Sequence, residues 1–63
     1  MENKTRSQWL EEADNFLFHW NNAMGRDPYK HEVIAECIEF NDPPYNTKEY
    51  GETLWQYITE LFD

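Results

Sequence analysis

The chain has 63 residues, with 5 Lys+Arg against 13 Asp+Glu and a formal net charge of −8. That describes one small acidic domain spanning residues 1–63, too short for two cores or for an ordinary enzyme scaffold. Hydrophobic residues make up 40%, including three Trp, four Tyr and four Phe, so ring burial at roughly 150–250 Å² each can compensate for the short chain, which excludes a disordered acidic tail.

The N-terminal stretch Met1 to Arg6 is polar and runs into Trp9-Leu10 and two glutamates. It offers no apolar run long enough for a signal peptide or a membrane span, so a cytoplasmic protein is expected. Thr5 with Gln8 matches a capping box, and apolar residues then recur at Trp9, Ala13, Phe16, Leu17, Trp20 and Met24 until Gly25, predicting a first helix. Trp9, Ala13, Phe16, Trp20 and Met24 fall within an arc of roughly 80°, with Leu10 and Leu17 at its edge, and should face the core. Phe18 lies about 180° from Trp9, beside Glu11, Asp14 and Asn22. There it is either an exposed anchor for a partner or is covered by the N-terminal arm or the Pro43-Pro44 loop.

Asp27-Pro28 predicts a helix start, with Asp as N-cap and Pro at the first helical position. A second helix over 28–40 follows, with Tyr29, Val33, Ile34, Cys37, Ile38 and Phe40 as its apolar set. The adjacent pairs Val33-Ile34 and Cys37-Ile38 fit a 3.6-residue period better than alternation. The alternative is an α+β fold with residues 31–40 as a strand, which Val, Ile and Phe also suit. Cys37, with no second cysteine, reads as a small buried thiol in a reducing compartment, a disulfide-linked dimer being the alternative.

The segment from Asn41 to Asn46 contains Pro43-Pro44 and reads as a loop. Asn46 with Glu49 is a second capping-box-like pair, and Tyr50, Leu54, Tyr57, Ile58 and Leu61 recur at helical spacing, with Trp55 and Phe62 widening the stripe. Gly51 costs a helix interior about 1 kcal/mol. Either another backbone approaches closely there, or the helix begins after it. The fold class is all-α, three antiparallel helices around an aromatic core.

No catalytic motif stands out, and no enzyme activity is expected. His31-Glu32 starts like His-Glu-x-x-His, but Ala35 occupies the fifth position, and His31, Glu36 and Cys37 share no coordination centre, so neither metal nor cofactor is expected. Asp42 to Glu52 lacks the glycine that a calcium loop needs. Ser7 is explained by a helix start and Cys37 has no base beside it, which leaves no triad. Direct nucleic-acid binding is opposed by the charge balance.

The acids are unevenly spread. Pro28 to Asp63 holds eight acids against Lys30 and Lys48, a net −6, while the first 27 residues hold five acids against three bases, a net −2. Glu32, Glu36 and Glu39 are read as an arc of roughly 60° on the second helix, opposite Val33 and Cys37, Asp42 extends it, and Glu49, Glu52 and Glu60 project outward from the third. Such a ridge either only solubilises the fold or presents a phosphate-like row to a basic groove.

In size, charge and lack of a catalytic motif, along the whole chain and without a family motif to quote, the sequence resembles phage-encoded inhibitors of bacterial defence, especially anti-CRISPR proteins, and DNA mimics more broadly. The resemblance implies an inhibitor in the bacterial host cytoplasm whose partner is a basic nucleic-acid-binding protein or CRISPR effector complex. It would block target DNA through Glu32, Glu36, Glu39, Asp42, Glu49 and Glu52, with Phe18 as anchor, and act as a monomer or weak homodimer away from membranes. The alternative is a small regulatory or assembly module that binds a partner through apolar surface, a homodimer burying Trp55, Phe62 or Phe18 being one form of it.

Overall fold

The computed structural model describes residues 4–62. Asp63, counted among the acids above, and the first three residues of the polar N-terminal stretch lie outside the described residues. Three helices follow one another, α1 (Arg6–Met24), α2 (Lys30–Phe40) and α3 (Lys48–Phe62), and the strand alternative for residues 31–40 is overturned because that segment is helical. Thr5 caps α1 as a capping box: its hydroxyl accepts from the Gln8 N–H at 3.1 Å and its own N–H donates to the Gln8 side chain at 2.9 Å. Gly25 ends α1 at φ 76°, a left-handed conformation that glycine adopts without steric cost.

Two helix starts differ from expectation. Asp27 does not cap α2, because its carboxylate accepts from the Asn21 amide at 2.9 Å, and the helix begins at Lys30 rather than Pro28. Glu32 instead reaches back to accept from the Tyr29 N–H at 2.8 Å. Likewise α3 is capped by Thr47, whose hydroxyl accepts from the Tyr50 N–H at 3.1 Å, not by the Asn46 and Glu49 pair. In both cases the side chain one helical turn from an orphan N–H takes the capping role.

The middle of the molecule belongs to α3. It packs against both other helices, whereas α1 and α2 bring no Cα atoms within 8 Å of each other. Trp9 and Ala13 from α1, Val33 and Cys37 from α2, and Tyr50, Leu54 and Ile58 from α3 form the core. Gly51 lies inside α3, which rules out a helix that begins after it, and an added Cβ there would stand 2.8 Å from the Ile34 Cα. Glycine is therefore what lets α2 lie directly on α3.

The aromatic core is real but narrower than the periodicity suggested. Tyr29, Ile38 and Phe40, assigned to the inner face of α2, are exposed, as are Met24, Leu61 and Phe62. Met24 and Leu61-Phe62 stand in the last turns of α1 and α3, and the 11 residues of α2, at 1.5 Å each, span only about 16 Å. A helix that short, seated on α3 alone, buries one narrow stripe.

Candidate functional site

Among the described residues, cations and aromatic rings meet at two places. At the first, Lys4 lies against the start of α1 with its ammonium 5.1, 5.4 and 5.1 Å from the ring centroids of Trp9, Tyr45 and Tyr50. It pairs with Glu12 and donates to the Tyr50 hydroxyl at 2.6 Å, while that hydroxyl donates to Glu12. Burial, then the bond to Glu12, pushes the Tyr50 phenol well above its usual range. At the second, the Arg26 guanidinium lies 5.8 Å from the Trp20 ring centroid and 5.4 Å from that of Tyr29. It also holds Glu32 through two N–H donors, at 2.9 and 2.6 Å. That bidentate bond, with the Tyr29 N–H second, lowers the Glu32 carboxyl from 4.5 to about 2.

These pairings decide which acids remain for a partner. Glu32, counted in the sequence-derived ridge, is committed to Arg26 and to the α2 cap, so its charge is neutralised within the fold. Glu12 and Glu60 are likewise paired, with Lys4 and Arg6. Among the described residues Glu36, Glu39, Asp42, Glu49 and Glu52 make no ion pair, so five consecutive acids, running from α2 through the loop into α3, keep their charge. Glu36 and Glu52 are half-buried and Glu39, Asp42 and Glu49 are exposed. Phe18 is 64% exposed, so the Pro43-Pro44 loop does not cover it, and the first three residues of the N-terminal arm lie outside the described residues. The Phe18 ring stands edge-on to that of His19, with centroids 5.5 Å apart, and lines a shallow hollow with Asp14, Asn21 and Asn22.

Sequence reasoning missed one feature. Where α1 and α2 diverge, Phe16, His19, Trp20, Ala23 and Met24 face Glu36 across a hollow of about 260 Å³. Phe16 and Trp20 lie nearly parallel along one wall, with ring centroids 5.9 Å apart. The indole N–H of Trp20 is buried without an acceptor among the described residues, an arrangement that costs a fold about 1–3 kcal/mol. The expectation that Glu36 lies opposite Val33 and Cys37 is overturned: three residues from Val33, it stands only about 60° away around the helix and leans toward the inner face.

Cys37 is buried, and its thiol is pushed up to about 11, chiefly by burial. A sulfur this buried fits the small buried thiol read from the sequence better than a disulfide to a second chain. Among the described residues no three His, Cys, Asp or Glu side chains converge as a metal site, and no helix is long and apolar enough to cross a membrane. Comparison with protein-family models, curated proteins and solved structures returned no match.

Proposed function

We propose that this protein is an acidic binding inhibitor that occupies the nucleic-acid groove of a basic partner, in the manner of the anti-CRISPR and DNA-mimic class. The observation that supports this reading is the run of carboxylates at Glu36, Glu39, Asp42, Glu49 and Glu52 that make no ion pair among the described residues. A fold that spends three of its five cations on Glu12, Glu32 and Glu60 leaves this run uncompensated. Like charges spaced three or four apart disfavour a helix by a few tenths of a kcal/mol each, so their accumulation fits a role outside stability. The partner's Arg and Lys would replace the missing cations, giving fast, salt-sensitive association.

A second reading is favoured by the exposed rings and alkyl groups of Phe18, Met24, Tyr29, Ile38, Phe40, Leu61 and Phe62. These would suit a regulatory or assembly module that binds through apolar contact. Displacement of labelled double-stranded DNA from purified CRISPR effector complexes separates the two. A mimic competes with the DNA and weakens steeply between about 50 and 200 mM salt, whereas an apolar interface neither competes nor responds to salt.

A further inference from the structure

We infer that the hollow between α1 and α2 is a receptor for an arginine side chain of the basic partner, with Glu36 as its carboxylate and Phe16, Trp20 and Met24 as its apolar walls. This rests on the reading above and specifies how one of its carboxylates is used. The argument comes from an arrangement the protein already contains. Glu32, one helical turn before Glu36, accepts Arg26 in a bidentate pair while the guanidinium lies over Trp20 and Tyr29. Lys4 repeats the pattern between Glu12 and three rings. Glu36 has the same surroundings, with Trp20 again in the wall and Phe16 parallel to it, yet no cation of the described chain reaches it.

Charge complementarity selects the occupant. A half-buried, unpaired carboxylate beside flat rings suits a planar, weakly hydrated guanidinium that can stack and pair at once, and suits a compact, strongly hydrated ammonium less well. The hollow, about 260 Å³, admits the three-carbon stem along Met24 and Ala23 with the head toward Glu36. A purely apolar side chain would leave the Glu36 charge desolvated and unpaired.

The test is titration of the whole protein with N-acetyl-argininamide, followed by NMR at the Met24 methyl and the rings of Phe16 and Trp20, with the lysine and norleucine amides in parallel. The expected result is saturable shifts confined to these groups. Binding should be in the range of about 1 mM expected of so small a ligand, several-fold weaker for lysine, and reduced at least fivefold by Glu36→Gln but not by Glu39→Gln. A thermal melt of each variant confirms that it is folded. Equal binding of the norleucine or lysine amide, shifts spread over all the acids, or full binding to Glu36→Gln would overturn the inference. The DNA-displacement assay reads the broader proposal separately: competition there with no arginine site here removes only the hollow, and an arginine site here without competition removes only the mimicry.

Discussion

Replacing Gly51 by Ala sets two opposed magnitudes against each other. Inside a helix the change should be favourable by about 1 kcal/mol from propensity alone. At this position the new Cβ would sit 2.8 Å from the Ile34 Cα and 3.2 and 3.3 Å from its side-chain carbons, whereas non-bonded carbons rest at about 3.5–4.0 Å. The nearest obstacle is backbone, which cannot rotate aside, so α2 must lift off α3 by about 0.7 Å or more. Because α2 has no close approach to α1, lifting it loosens Val33 and Cys37 with nothing on the far side to compensate. Overpacking of this kind costs about 1–3 kcal/mol, and the backbone contact places it at the upper end, so a net loss of about 1–2 kcal/mol is expected. For a domain this small that lowers Tm by roughly 4–16 °C. Thermal and urea melts followed by circular dichroism read the change, with Gln56→Ala on the exposed side of α3 as a control that stays within about 0.5 kcal/mol of the parent. A Gly51→Ala protein that melts several degrees higher than the parent would refute the close packing of α2 on α3.

Further outcomes follow from the same structure. Thr5→Ala removes the hydroxyl half of the α1 capping box and should cost about 1 kcal/mol, read as a lower urea midpoint. Glu32 should titrate near 2 in the parent and higher in Arg26→Gln, where the Tyr29 N–H still holds it below its ordinary value, as followed by carboxyl NMR. Because its folded pKa is depressed, the stability it contributes is present above about 4.5 and is lost as pH falls toward 2. Raised values for the Cys37 thiol and the Tyr50 phenol act at the other end. Both groups prefer the neutral form in the folded state, so stability should decline as pH rises above about 9, and a thiol reagent at pH 8 should react with Cys37 only after urea unfolds the chain. Phe18→Ala should leave the melt unchanged within about 0.5 kcal/mol, since the ring is exposed, while weakening partner binding if it serves as an anchor.

Local signals were legible where one residue decides the outcome. Thr5 and Gln8 announced the start of α1 and Gly25 its end, because each reflects a steric or hydrogen-bonding need within a turn or two of chain, whereas Gly51 left a close backbone approach and a later helix start both open, and the contact with Ile34 decided between them. Periodicity placed Trp9, Ala13, Val33, Cys37, Tyr50, Leu54 and Ile58 inside, and they are inside. It failed for Tyr29, Ile38 and Phe40, since a wheel shows which side of a helix is apolar and not how much of that side a neighbour covers. The starts of α2 and α3 were misplaced because several residues competed to cap each one: Asn21 drew Asp27 away and Arg26 fixed Glu32, each across six residues, while Thr47 took the cap of α3. The Arg26 pairing also removed Glu32 from the acidic row. No spacing rule links residue 26 to residue 32, or Lys4 to three rings spread from position 9 to position 50.

The central claim is that the carboxylates from Glu36 to Glu52 compete with nucleic acid for a basic groove. Its most direct measurement is DNA displacement from a purified effector complex by the parent and by the Glu36→Lys, Glu39→Lys double variant. Displacement by the parent that falls at least about tenfold from 50 to 200 mM salt, and its loss in a double variant whose melt is unaltered, is the result expected. Displacement by the reversed variant at the parent's strength, indifferent to salt, would contradict the claim.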